Sequence, residues 1–430
     1  MTPLVLTALL CFAFACAGGT VHQGSGATSD SQPAGVSGGG AASTSAAGAA
    51  GGATNTSSAS GTGGASAAAD IGASDGGLTS VKVARPDDAP GTECFGALTD
   101  TSRDSANCGT CANACAPVVL ASGLDWPVGI ALDATTAYWI TTGNEGTVMS
   151  APLSGGDPTT LATAQLWPMA IAVDATSVYW ASNGTISKLP LAGGTPKRLL
   201  SVQAAPQAIA VDATSVYWAD MGSSGVGAVM KVPLDGGDPV TIATIPGSGP
   251  DAIAVDGTSV YWANGSNDSD RLVLKAPLGG GTPTTLAAGA NSAFAIAIDA
   301  TSVYWTRFVS SANGFSPDPL STVMKAPLAG GAAVMLASGK AQPMGMAIDA
   351  TSVYWTNAST SQTYAGTPGT DGTVMRVPRA GGSTTTLAPA QYEPAAIAAN
   401  GKTVCWTNTG SGKGHGTVMC LGACTQGACK

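Results

Sequence analysis

The chain has 430 residues, a formal net charge of −9 and 10% charged residues. Ordinary soluble domains carry roughly 25%, so its surface must be built largely from Ser, Thr, Asn and Gly. From residue 117 onward 14 Lys and Arg stand against 18 Asp and Glu, a net of −4 with no basic patch, which excludes nucleic acid as an expected partner. The only histidines are His22 and His415, so a Ser-His-Asp triad, a histidine-held zinc and most histidine-based acid–base schemes lack their parts.

In chain order, Leu4 to Ala15 is an apolar run too short to span a membrane and suited to a cleaved signal, so residues 1–15 are expected to be a signal peptide. The run ends in Ala13-Phe14-Ala15-Cys16, which resembles a bacterial lipobox with Cys16 as the acylated residue. Cleavage by an ordinary signal peptidase, giving a secreted protein, is the alternative. Residues 16–80 are a low-complexity segment of Gly, Ala, Ser and Thr, too poor in bulky apolar groups to fold. As a flexible coil such a tether spans roughly 40 to 50 Å. Residues 81–116 form a Cys-rich segment with Cys94, Cys108, Cys111 and Cys115, and residues 422–430 a tail with Cys424 and Cys429. With Cys405 and Cys420 these make an even number of cysteines in a chain expected to be exported, so disulfides are expected. A four-thiolate zinc site on the first group is the weaker reading. The spacing suggests a local bridge from Cys420 to Cys424, and bridges that staple the two chain ends would contribute about 2 to 4 kcal/mol each.

Residues 117–421 carry a repeat. Asp133 to Trp139, Asp174 to Trp180, Asp212 to Trp218, Asp256 to Trp262, Asp299 to Trp305, Asp349 to Trp355 and the degenerate Asn400 to Trp406 start 41, 38, 44, 43, 50 and 51 residues apart. That period belongs to four-stranded propeller blades. One unit, Pro206 to Ala243, contains four short apolar segments bounded by turn residues. An Asp turn at Asp212 to Ser215 closes the first hairpin, and Gly236-Gly237 closes the last. The recurrent Asp is therefore assigned to turn closure, and the innermost strands are expected to hold no other prominent charge. The seventh unit lacks an outer strand, and Pro117 to Ala121 is a spare one that closes the ring on it. The fold class is all-β, a seven-bladed β-propeller closed by an N-terminal strand, with six blades as the alternative.

Val216-Tyr217-Trp218-Ala219-Asp220 and Val353-Tyr354-Trp355-Thr356-Asn357, followed by Gly-x-Val-Met-Lys-x-Pro-Leu-x-Gly-Gly with Arg376 and Arg379 for the Lys and Leu in the second, resemble YWTD-type propeller repeats. They are similar also to propellers of envelope-associated bacterial lipoproteins, of the myxobacterial kind in particular. The cluster from Asn107 to Cys115 resembles a small Cys-rich module found ahead of repeats in secreted proteins of that group. The resemblance implies architecture and a cell-envelope, outer-membrane location. It carries no catalytic motif across.

Variation concentrates in loops joining the second and third strands, the longest being Thr306 to Thr322 and Thr356 to Thr373. By topology these share a face with the loops leading into each inner strand, and loops on a rigid scaffold are where function usually sits. Trp126 and Trp167 fill the same Trp-Pro slot before the first and second blades, with Phe294 and Tyr392 near equivalent positions and Asp251, Gln342 and Glu393 beside them. They form either a recognition platform or a cap on the axial channel. The long loops add Arg307, Phe308, Phe315, Asp318, Tyr364 and Asp371 as binding candidates. The Lys of Val-Met-Lys at Lys231 and Lys325, of Val-Leu-Lys at Lys275, and the matching Arg376 are expected to lie along the rim with their charge in water. Asn267 to Asp270 has calcium-loop composition without the closing Glu, so no metal and no cofactor is expected. The expected function is that of a monomeric, lipid-anchored propeller binding an envelope protein or extracellular glycan through its top-face loops, with no reaction of its own. A funnel enzyme of quinoprotein or lactonase type and a purely structural envelope component are the alternatives.

Overall fold

The computed structural model describes residues 92–94, 97–99, 117–201, 205–222, 226–246, 249–264, 272–289, 293–308, 321–338, 342–358 and 369–422. The signal run, Cys16, the tether, Cys108, Cys111, Cys115, Cys424, Cys429, segment 267–270, Phe315, Asp318 and Tyr364 lie outside the described residues. In the Cys-rich segment Thr92–Cys94 pairs with Ala97–Thr99 as an antiparallel hairpin, the Cys94 side chain being outside the description.

The repeat folds into seven four-stranded antiparallel sheets, and the described residues contain no helix. The innermost strands of blades 1 to 7 are Pro127–Leu132, Pro168–Val173, Pro206–Val211, Pro250–Val255, Ile296–Ile298, Gln342–Ile348 and Pro394–Ala399. Each touches the next, and the seventh touches the first, so the ring is closed. Closure uses the spare strand: Val118–Leu124 lies antiparallel on Gly416–Gly422 and completes blade 7.

The first turn of each blade explains the recurrent Asp. In blade 3 the Asp212 Oδ1 accepts from the amides of Thr214 (2.7 Å) and Ser215 (2.8 Å), while Oδ2 accepts from the Tyr217 hydroxyl at 2.8 Å. The same set recurs at Asp133, Asp174, Asp256, Asp299 and Asp349. One carboxylate thus closes the turn and anchors the repeat Tyr of the adjoining strand. The last hairpin needs its glycines, since Gly236 and Gly237 have φ of 86° and 139°.

Side chains alternate across each second strand, and this alternation builds the core. Val216 and Trp218 face blade 2, against Tyr179, Ala181, Ile186 and Leu199. Tyr217 and Ala219 face blade 4, against Ile253 and Trp262. Seven such seams run around the ring, each burying a repeat Trp. The innermost strands fit at the centre because the residue opposite the repeat Tyr, or Cys405 in blade 7, is always Ala, from Ala131 in blade 1 to Ala398 in blade 7.

The third-strand lysines do not end in water. Lys188, Lys231, Lys275 and Lys325 each donate to a backbone carbonyl of the following blade, at Leu234 (3.2 Å), Leu278 (2.6 Å), Leu328 (2.6 Å) and Arg379 (3.1 Å). They are latches between blades, and the sequence expectation of solvated rim charges is corrected: the stem crosses apolar surface as expected, but the next hairpin offers the ammonium an acceptor before solvent does.

Blade 7 replaces the Tyr and Lys of this arrangement with a disulfide. Cys405 stands in the Tyr slot and Cys420 in the Lys slot, they are cross-strand partners, and they are bonded, with Cα atoms 4.1 Å apart. This corrects the expected Cys420 to Cys424 bridge; the other cysteines expected to staple the chain ends lie outside the described residues. The bridge lies within one blade, although its two residues face Ile130 and Trp139 across the closing seam. A loop of this size constrains the unfolded chain by about 3 kcal/mol.

Candidate partner-binding face

Three lead-in loops, into blades 7, 1 and 2, share one backbone conformation. They run Ala390-Gln391-Tyr392-Glu393-Pro394, Gly123-Leu124-Asp125-Trp126-Pro127 and Ala164-Gln165-Leu166-Trp167-Pro168. The first residue and the residue before Pro are left-handed in all three, with Trp126, Trp167 and Glu393 at φ of 45°, 49° and 48°. For a bulky L residue this is a true outlier, costing about 1 to 2 kcal/mol. It persists only where the surroundings dictate it.

The dictating contact is between Pro and Gly. The first residue of the preceding blade's third strand is Gly416, Gly146 or Gly372, and a Cβ there would stand 2.3, 2.5 or 2.5 Å from Cδ of Pro127, Pro168 or Pro394. The proline ring thus rests on a bare backbone and turns the chain sharply into the next blade. Backbone bonds fix the result: Thr142 N donates to Trp126 O (3.1 Å), Trp167 N to Gly143 O (2.8 Å) and Thr409 N to Glu393 O (3.1 Å). Beneath two of the elbows a Gln closes the polar account, since Gln165 Oε1 accepts from Trp180 Nε1 (2.8 Å) and Gln391 Oε1 from Trp406 Nε1 (2.9 Å). The third elbow has Leu124 in that place, and Trp139 Nε1 is buried there with no partner among the described residues.

Loops between second and third strands buttress the elbows from the same side, as topology required. Asn144 accepts from Trp167 Nε1 at 3.1 Å. Asp125 accepts from Gly414 N at 2.7 Å and pairs with Lys413 at 3.4 Å. His415, in the same loop, is exposed and touches Ser411. The elbow residues leave apolar surface open: Leu166 and Tyr392 are each 44% exposed, and Trp126 and Trp167 are half-buried.

The elbow geometry predicts a stability test. Gly416→Ala is expected to destabilise the fold by about 1 to 3 kcal/mol through overpacking on Pro127 and the Leu124 carbonyl. Gly257→Ala, where an added Cβ meets nothing within 4 Å, is expected to be neutral or stabilising by about 0.5 kcal/mol. Urea midpoints of the two variants decide it, and equal midpoints would contradict the elbow account.

The remaining sequence candidates fall elsewhere on the face. Phe294 and Phe308 meet in blade 5 with ring centroids 6.0 Å apart, and Arg307 ends the second strand of that blade. Phe294 does not share the Trp-Pro slot: by register it matches Val128, because Ala293 occupies the proline position. Tyr392 sits one residue before the slot, which Glu393 fills. Asp371 is exposed at the start of the third strand of blade 6.

A second arrangement lies on the innermost strands, which line the propeller axis. In six blades the ladder between the first two strands skips one or two residues near its top-face end, and the matching positions are Val128, Met169, Gln207, Asp251, Phe294, Met344 and Ala395. All seven are half-buried. Asp251 overturns the expectation that the innermost strands hold no charge besides the turn Asp. Burial alone pushes its carboxyl up to about 7.

No protein-family model matches the sequence, and no curated protein does. Among solved structures, BamB from Moraxella catarrhalis is 16% identical with a TM-score of 0.43, covering 69% of this chain and 85% of that one. A putative TolB from Agrobacterium tumefaciens is 15% identical with a TM-score of 0.42, covering 63% and 95%. A chain of a nidogen/laminin complex is 19% identical with a TM-score of 0.40, covering 47% and 76%. These are likenesses of propeller fold.

Proposed function

We propose that this chain is an exported, lipid-anchored propeller whose top face binds a protein or glycan partner and performs no reaction of its own. The observation that carries the reading is the run of three elbows across blades 7, 1 and 2. Each holds a bulky residue in a costly left-handed conformation, and together they expose Leu166, Tyr392, Trp126 and Trp167 on one sector. Strain maintained at a surface, away from the packed seams, is characteristic of ligand clamps. Rigid aromatics with few rotamers supply most binding energy where partners meet. The apolar run ending in Cys16 and the Gly/Ala/Ser/Thr segment behind it support export and anchoring.

The test is capture of partners from detergent-solubilised envelope and from culture polysaccharide by residues 90–430. Trp126→Ala with Trp167→Ala is expected to weaken capture at least tenfold while leaving thermal unfolding within a few degrees of the parent, and undiminished capture refutes the elbow reading. Palmitate incorporation that disappears in Cys16→Ala tests the anchor separately.

A further inference from the structure

We propose that the top-face mouth of the axial channel binds a protonated amine on an alkyl stem, with Asp251 as its counter-ion and the Phe294–Phe308 pair of the next blade as its apolar wall. The inference does not rest on the elbows, which belong to blades 7, 1 and 2, whereas Asp251 belongs to blade 4.

Seven equivalent positions ring the mouth, and six are uncharged. Five of those, Val128, Met169, Phe294, Met344 and Ala395, are apolar, and Gln207 in the preceding blade is the one other polar member. A carboxylate in such a ring is costly unless something pairs with it. Nothing does: Asp251 makes no hydrogen bond or ion pair among the described residues, and burial is the sole cause of its raised pKa, so no charged side chain acts on it, Arg307 included.

The strands packed on Pro250–Val255 carry four titratable groups, and each is engaged elsewhere. Tyr217 and Tyr261 donate to Asp212 and Asp256. Lys231 donates to Leu278 O, and Asp220 accepts from the amides of Ala205 and Gly222. The flanking inner strands Pro206–Val211 and Ile296–Ile298 contribute none.

An ammonium group answers each feature of the site. It gives the lone carboxylate a partner, it is attracted to an aromatic face, and its alkyl stem matches the apolar ring. A free anion would meet the Asp251 carboxylate with no cation acting on it among the described residues, and a neutral sugar leaves the charge unpaired. Because burial pushes the Asp251 carboxyl up to about 7, binding of an ammonium selects its ionised form. Affinity should therefore rise with pH up to about 7 and then level off.

The ammonium has two possible origins, a small alkylamine or a lysine presented by a protein, and calorimetric titration of the full chain with two probes separates them. One probe is n-butylamine and the other is N-acetyl-Gly-Lys-Gly amide, each at pH 5.5 and 8. Saturable binding at pH 8 is expected for at least one, weakened tenfold or more at pH 5.5 and by Asp251→Asn at pH 8. Phe294→Ala is expected to weaken it several-fold. Binding of the peptide alone assigns the site to a protein-borne lysine, and binding of butylamine assigns it to free amines. Absence of binding by both probes overturns the proposal, as does equal affinity in Asp251→Asn, whose melting temperature, equal to or above the parent's, shows the fold intact. Loss of partner capture in the elbow variants with amine binding retained separates this site from the one proposed above.

Discussion

A chain starting at residue 126 is expected to lose the cooperative unfolding transition that a chain starting at residue 117 retains. The difference is one strand, Val118–Leu124, whose register on blade 7 runs from Val118 opposite Cys420 to Leu124 opposite Gly416. It supplies Ala121 and Leu124 to the closing seam, beside Ile130 and Trp139. Losing the packing of a buried leucine alone costs about 2 to 5 kcal/mol. Each ladder hydrogen bond lost adds about 0.5 to 1.5 kcal/mol. Against a usual total of about 5 to 15 kcal/mol, that is most of a domain's stability. Removal also bares the edge of Gly416–Gly422, so the truncated protein should associate on size-exclusion chromatography. Adding a peptide of residues 117–125 should restore the transition in part. Identical urea midpoints for the two truncations would show that the ring closes without this strand.

The strand was legible in sequence because the seventh repeat visibly lacked its fourth segment, and Pro117 to Ala121 matched the missing pattern. The turn role of the repeat Asp was legible for a similar reason, since six copies in one slot point to geometry. The partner of its second oxygen was not read, although Tyr138, Tyr179, Tyr217, Tyr261, Tyr304 and Tyr354 each stand five residues on. Aligning the repeats would also have set Cys405 under the Tyr and Cys420 under the Lys, which predicts their pairing better than the nearness of Cys424 in sequence. The elbows left a subtler trace. Gly-Thr-Val-Met begins the third strand only at Gly146, Gly372 and Gly416, the blades that precede the three elbows. What sequence cannot display is isolation. Asp251 differs from the turn aspartates because nothing around it donates, and that depends on every neighbouring strand at once. Phe294 lies two residues past the Trp slot, and its register is hard to count from sequence because blade 5 enters its inner strand through Ala293 where the other blades use proline.

The contribution of the turn pairs to stability is expected to be complete between about pH 4 and 10 and to fall on both sides, whereas Asp251, its carboxyl pushed up to about 7 by burial, removes stability as pH rises from about 4 to 7. Burial pushes the turn carboxyls up, but donors outweigh it: Thr135, Tyr138 and Thr136 hold Asp133 below its ordinary value of 3.8. The other five follow suit, Asp299 falling to about 2 with help from Tyr304 and Thr301. A depressed folded-state pKa contributes stability that is complete above the unfolded value and is lost as pH falls through the folded one, so the acid limb lies between about 4 and 2. The phenols run the other way. Burial first, and then the hydrogen bond to Asp, raise Tyr138, Tyr217, Tyr261 and Tyr354 to about 12, and Tyr179 is raised as well. Their contribution is complete below an unfolded value of about 10 and is lost as pH rises through the folded one. Blade 7 has Asn400 and Cys405 in these places and contributes to neither limb. Tyr261→Phe removes one donor from Asp256 and should cost about 1 kcal/mol at pH 7, the strength of a charge-assisted bond discounted for partial exposure. It should also leave a shallower acid limb, because Asp256 moves back toward its unfolded value. Thermal unfolding from pH 2 to 12, with both proteins carrying Asp251→Asn so that this carboxyl does not titrate against the turns, measures this, and a melting temperature equal at pH 2.5 and pH 7 without Tyr261→Phe would mean that the six turns do not hold the ring through their charge.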